Sequence, residues 1–221
     1  MKSILVISAH PDDETLGAGG LICKYSNLNY NVFVLTISGH LPPLYSTEDY
    51  NTTIKEAKSA YKTLGVVDYK FLDIPATFVK DKPINELNNE IFSIVKEIEP
   101  EIVVFPFYDR HTDHRAVFDS TMVATRPVKE AKCIKLLAAY ETLSETHWNS
   151  PYIEPNFNPN MIVDISHDIK KKLDASRCYK SQILDKEGPR SIKAIESLAH
   201  FRGSQAGFDY GEAYTIIRML Y

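Results

Sequence analysis

The chain has 221 residues, 44% of them apolar, and a formal net charge of −4 without any basic stripe. That is enough material for one sizeable core, and it argues against a nucleic acid partner. No run of 18 or more apolar residues occurs, so no transmembrane helix is predicted.

The N-terminus has a strand pattern in place of a charged region followed by a cleavage site, so no signal peptide is expected. Cys23, Cys133 and Cys178 are odd in number, widely spaced and outside any CxxC pair. They suit reduced thiols in a cytoplasm better than a disulfide framework or a thiolate metal site.

The chain opens with a strand over residues 2–8, followed by His10-Pro11-Asp12-Asp13-Glu14 and a helix over 14–28. The continuously apolar run 31–37 predicts a second, doubly covered strand. A loop over 38–45 follows, in which His40 is a candidate substrate contact. The 3.6-residue spacing of Ile54, Ala57, Tyr61 and Leu64 predicts a helix over 47–64, closed by Gly65. A short strand over 68–74 and a helix over 84–98 come next, the latter stopped by Pro100.

Residues 101–106 form another buried strand, leading through Phe107–His114 into a helix over 115–125. Strands are expected at 134–140 and 160–165, separated by a long loop, and helices at 168–184, 191–201 and 210–220. Lys170, Lys171 and Lys172 read as a solvated helix face. With no linker and no repeat, the pattern predicts one α/β domain over 1–221, a Rossmann-like, mainly parallel sheet flanked by helices.

Two turns carry the chemistry. The first holds one imidazole and three carboxylates within five residues, at the carboxyl end of a strand where open α/β sheets bind ligands. Such a cluster is unfavourable unless neutralised. It reads either as an acidic helix start complementing the dipole or as half of a cation site. The second turn, His111-Thr112-Asp113-His114, also follows a strand and opens a helix. Parallel topology brings the two turns to one edge, and three protein ligands with one open position is the composition of a catalytic zinc site. His10, Asp13 and His114 are the expected ligands. Asp12 is then left to act as general base. His111 faces the substrate, with Asp113 expected to hold it as an imidazolium that stabilises an oxyanion and protonates a leaving amine.

His10–Glu14 together with His111-x-Asp-His114 resembles the LmbE or PIG-L family of zinc-dependent N-deacetylases. The resemblance covers residues 3 to about 125, and Tyr210-Gly-Glu-Ala-Tyr214 is similar to an ending common in that family. It implies a Rossmann-like fold, the same division of roles, a small-molecule amino-sugar or glycoconjugate substrate and a homo-oligomer. Where many relatives carry an arginine in the second helix this chain has Thr53, and a tyrosine found in some is replaced by Asp109, one residue from Tyr108.

Further candidate substrate contacts are Asp109 and Arg110, Trp148 as a sugar platform, and Arg202 as a phosphate or carboxylate contact. The run Gly17-Ala18-Gly19-Gly20 lacks the spacing of a dinucleotide fingerprint. The expected activity is zinc-dependent removal of the acetyl group from an N-acetylglucosamine-type substrate. The alternatives are an amidase acting on another N-acyl conjugate, such as a thiol-glucosaminide precursor, and a metal-binding protein without turnover.

Overall fold

The computed structural model describes residues 2–183 and 187–221. Four apolar strands supply its centre: β1 (Ser3–Ser8), β2 (Asn31–Gly39), β4 (Ile102–Pro106) and β5 (Leu136–Tyr140). They are flanked by β3 (Asp68–Pro75), β6 (Met161–Asp164) and β7 (Gly211–Met219). The strands order as β3-β2-β1-β4-β5-β7-β6. β1 pairs in parallel with both β2 and β4, and the chain direction of the sheet reverses only at β7.

Alternate side chains of each central strand point to opposite faces, and both faces are apolar. Leu5, Ile7, Val103 and Phe105 pack with helices α3 (Ile84–Ile98) and α4 (Thr112–Ala124). Ile4, Val6, Val34 and Val104 pack on the other face with α1 (Asp13–Asn27) and α2 (Thr47–Leu64). The second face is completed by α5 (Ile169–Ser176), while Ile195 of α6 (Ile192–Ser204) packs with Leu16 and Leu173. Burial on both faces explains why these strands lack polar alternation. No described helix is long and apolar enough to cross a membrane.

The outline matches the sequence reading up to residue 165 and departs from it near the C-terminus. Residues 210–220 form no helix. Gly211–Met219 is a strand inserted antiparallel between β5 and β6. Its Tyr-Thr-Ile-Ile run favours a pleated surface, and pairing on both edges overrides a spacing that also fits a helix. α5 stops at Ser176, well short of 184, which lies outside the described residues. α6 continues to Ser204, past the expected end at 201.

The lysine run is not uniformly solvated either: Lys172 is buried, 3% exposed. The glycines after the acidic turn serve close approach. A Cβ on Gly17 would strike the Tyr140 ring, and one on Gly20 would strike Ile165.

Candidate active site

The sheet order reverses direction of growth between β1 and β4, and a ligand crevice forms at such a switch point. Both chemistry-bearing turns leave the carboxyl ends of these two strands. They enclose a cleft of about 220 Å³ lined by His10, Asp12, His40, Tyr45, His111, Glu145, Gln182 and Arg190 among others.

The first turn is held tightly. Asp12 caps α1 with φ 116° and ψ −31°, a region that costs a non-glycine residue of order 1–3 kcal/mol. Its carbonyl accepts the Thr15 and Leu16 amides at 3.0 and 2.8 Å. Its own amide donates to Glu14 Oε2 at 3.2 Å. The other Glu14 oxygen accepts the hydroxyls of Thr15 and Tyr179. Glu14 is therefore a brace for the strained residue.

In the second turn His111 caps α4, and its Nδ1 accepts the Asp113 amide at 3.2 Å. The Asp113 carboxylate does not reach His111. Side chains two apart on a helix do not face each other, and Asp113 turns toward the other strand, where its Oδ2 accepts from His10 Nε2 at 2.9 Å and from the Thr77 amide at 2.7 Å. Asp109 is fully buried and makes no contact in the cleft. Its Oδ2 meets His114 Nδ1 at 2.9 Å and the Thr146 hydroxyl at 3.0 Å, and its Oδ1 accepts the His111 amide. Each carboxylate thus fixes one imidazole by one nitrogen and leaves the other free.

The free nitrogens converge. His10, His111 and His114 each place a ring nitrogen within 4.8 Å of the others, so this cluster could hold a metal ion. Asp13 Oδ2 lies 3.4 Å from His10 Nδ1 and 3.2 Å from His114 Nε2. Two ligands at about 2.0–2.1 Å from a tetrahedral zinc ion stand about 3.3 Å apart, so this donor set fits such an ion. His114 Nε2 is buried without a hydrogen-bond partner among the described residues, although Asp13 Oδ2 is near. Two lone pairs this close require a cation between them.

A proton on an imidazole also meets that demand for positive charge. Burial disfavours the charged form of His114, but Asp13 and Asp109 on either side outweigh it and raise its pKa well above the usual value. Burial likewise opposes the charge on His10, while hydrogen bonds donated to Asp113 and Asp13 bring it up to about 9. His111 goes the other way, down to about 4, through burial and the neighbouring His10 and His114 charges. A ring that accepts the Asp113 amide at Nδ1 and is pushed down by its neighbours is a neutral imidazole here.

Asp12 is pushed up to about 7 by burial, with Arg190 opposing and Asp13 and Glu14 reinforcing the rise. Arg190, just ahead of α6, donates to Asp12 Oδ2 at 3.0 Å, to Ser144 Oγ at 2.6 Å and to Glu145 Oε1 at 3.4 Å. Nothing in the sequence pointed to it. It is a single loop arginine with no periodic or motif context, and its partner lies 178 positions away.

Of the other candidates, His40 lines the cleft and approaches Gln182 Nε2 at 3.4 Å, its pKa lowered to about 4 by burial first and by the His10 charge second. Arg110 and Trp148 stand beside the cleft. The guanidinium sits 5.7 Å from the indole ring centre and pairs with Glu145 at 3.2 Å, leaving Trp148 55% exposed. Arg202 is not in the cleft. It is 7% exposed and its Nε and Nη2 donate to Glu141 at 2.8 and 2.6 Å.

That pair predicts a pH effect. Burial raises the Glu141 pKa, but the His147 and Arg202 contacts outweigh it and hold it below the usual carboxylate value. The pair therefore contributes its full stability above pH ~4.3, the unfolded glutamate value. It loses that contribution as pH falls through the depressed folded value. Glu141→Gln, which removes the counter-charge of a buried guanidinium, is expected to cost about 3–5 kcal/mol at pH 7. The gap between variant and wild type in denaturant midpoint should narrow steadily below pH 4.

A parallel α/β domain with a metal-competent histidine cluster and a buried carboxylate at its switch point belongs to the class of enzymes that act in a strand-end cleft. Residues 5–125 match the model of PIG-L, GlcNAc-PI de-N-acetylase, and the chain belongs to that family. It is 26% identical over 196 residues to a probable N-acetyl-alpha-D-glucosaminyl L-malate deacetylase 2 of Bacillus anthracis, covering 84% of this chain and 83% of the relative. Identity is also 26% over 235 residues to the diacetylchitobiose deacetylase of Thermococcus kodakarensis, covering 98% and 84%. The fold superposes on a conserved protein from Thermus thermophilus with a TM-score of 0.80 at 25% identity, over 100% of this chain and 97% of that one.

Proposed function

We propose that this chain is a zinc-dependent hydrolase that removes the acetyl group from an N-acetylated amino sugar or its conjugate. The observation that carries the reading is the convergence of His10 Nδ1, Asp13 Oδ2 and His114 Nε2 at 3.2–3.4 Å contacts beside the Asp12 carboxylate. The family match and the deacetylase names of the relatives support the same chemistry.

His10, Asp13 and His114 would hold the ion. A zinc ion there would supply Lewis-acid polarisation of the amide carbonyl and lower the pKa of a nearby water. Asp12, whose carboxyl burial pushes up, lines the cleft and is placed to take a proton from a water there. Neutral His111 presents its Nε2 to the amide as hydrogen-bond donor to the developing oxyanion. The proton held by Asp12 passes to the leaving amine, and acetate and a free amino sugar depart. Asp113 and Asp109 keep His10 and His114 in the tautomers that turn a lone pair toward the ion. His40, Arg110 and Trp148 contact the sugar and its substituent at the mouth. A reducing, cytoplasmic setting fits the three free thiols.

Arg190 keeps Asp12 in place by one charge-assisted hydrogen bond, a contact worth about 1.5–3 kcal/mol. Arg190→Met should lower kcat about 10- to 100-fold while metal content stays at the wild-type value, checked by steady-state kinetics alongside elemental analysis.

The reading is tested by acetate release from N-acetylglucosamine, diacetylchitobiose and N-acetylglucosaminyl malate. Zinc-loaded protein should release acetate from at least one, and chelated protein from none. Absence of acetate from all three with stoichiometric zinc bound would overturn it.

A further inference from the structure

The buried pair Lys172–Glu212 lies outside the cleft, and nothing in the chemistry above uses it. Nζ and Oε1 are 2.6 Å apart and the two side chains are 4% and 3% exposed. A buried ion pair is a weak source of stability, because desolvation offsets most of the attraction. Its partners point to another role.

In a regular helix the Gly20 amide bonds to the Leu16 carbonyl. In α1 the Gly20 amide donates to Glu212 Oε1 at 2.7 Å, and the Leu21 amide to Oε2 at 2.8 Å. The Leu16 carbonyl accepts Lys172 Nζ at 2.8 Å. Tyr214 completes the set by donating its hydroxyl to Glu212 Oε2 at 2.9 Å. The carboxylate and the ammonium thus engage an amide and a carbonyl of the same helical turn, four residues apart within α1.

The glycines make room for this. Gly19 lies against the Lys172 stem, and a Cβ on Gly211 would strike the backbone of Gly203. Leu16 ends the turn that begins at Asp12, and its own amide bonds to the Asp12 carbonyl. A fixed Leu16 carbonyl therefore fixes the strained residue that carries the base and the neighbouring Asp13.

We propose that Lys172 and Glu212 are positioning residues. They form a wedge from α5 and β7 that holds α1 at Leu16–Leu21 and thereby sets the angle at which the first turn presents Asp12 and Asp13 to the cleft. This rests on the reading of that turn as the catalytic and metal-binding one. It also gives the Tyr210–Tyr214 ending a job within the site.

The test is the double variant K172M/E212L, which removes both charges and the side-chain partners of the Leu16 carbonyl and the Gly20 and Leu21 amides. Replacing a buried pair by apolar side chains is commonly neutral or stabilising, so its melting temperature should stay within a few degrees of wild type. In the metal-free protein the Thr15 and Leu16 amides should exchange at least about tenfold faster, while amides of β4 and α3 keep wild-type rates. Zinc affinity measured by chelator competition should fall about tenfold, in the range of losses at groups behind metal ligands. On any substrate turned over, kcat should fall with KM unchanged.

Wild-type exchange at Thr15 and Leu16 together with wild-type zinc affinity would overturn the proposal and leave the pair a purely structural contact. If the double variant does not fold, E212Q decides in the same way. It retains Lys172 on the Leu16 carbonyl but offers only one acceptor oxygen to two amides, so unchanged exchange at Thr15 and Leu16 again overturns the proposal. The exchange measurement needs neither metal nor substrate, so it stands even if the deacetylase reading fails.

Discussion

Asp12→Asn should lower kcat by about 100- to 10,000-fold, the span expected when a positioned general base is removed, and leave metal content unchanged. Asp12 supplies none of the three donor atoms of the proposed centre, in which Asp13 Oδ2 lies 3.4 Å from His10 Nδ1 and 3.2 Å from His114 Nε2. Asparagine has nearly the same shape and can still accept the Arg190 hydrogen bond through its amide oxygen. It is also among the few residues that tolerate a positive φ, and position 12 requires φ 116°. The fold and the metal site should therefore survive, and only the basicity is lost. Turnover close to wild type, measured at saturating substrate with metal quantified in the same preparation, would remove Asp12 from the role of base.

The α/β outline was legible because its signals are local. Continuous apolar runs marked β1, β2 and β4, and helical periodicity with Gly65 and Pro100 as stops marked α2 and α3. Parallel pairing of β1 with β4 then brought the two turns together from positions about a hundred residues apart. What the chain order hid was which group each acid serves. Asp113 is nearest in sequence to His111, yet the cap geometry of α4 turns its carboxylate onto His10. Asp109 looks like loop charge until its burial against His114 is seen.

Arg190 and Lys172 were illegible for a shared reason. Each is defined by a partner 178 or 40 positions away, and neither carries a spacing that names that partner. β7 was misread because Ala213, Tyr214, Ile216 and Ile217 are compatible with a helical face, and only pairing with β5 and β6 decides the matter. These misreadings sit at the C-terminal end of the chain, which closes over the first half of the fold and braces its acidic turn.

His114→Ala should abolish stoichiometric metal binding and with it all metal-dependent turnover. His114 is fully buried, with Nδ1 on Asp109 at 2.9 Å and Nε2 3.2 Å from Asp13. Removing the ring deletes one donor and leaves two buried carboxylates facing a void without a cation between them. Breaking a buried charged contact in this way costs about 3–5 kcal/mol, so a lower denaturant midpoint should accompany the metal loss. Asp109→Asn separates the two effects. It keeps the donor but offers His114 Nδ1 an amide whose orientation is shared with the Thr146 hydroxyl and the His111 amide. The ring then loses the partner that fixes its tautomer, and metal affinity should fall about 10- to 100-fold without being abolished. Chelator competition on the two variants checks the order. If Asp109→Asn binds zinc as tightly as wild type, Asp109 does not orient the ligand. If His114→Ala still binds one zinc ion with wild-type affinity, the centre does not need His114, and His111 is the first alternative donor to examine.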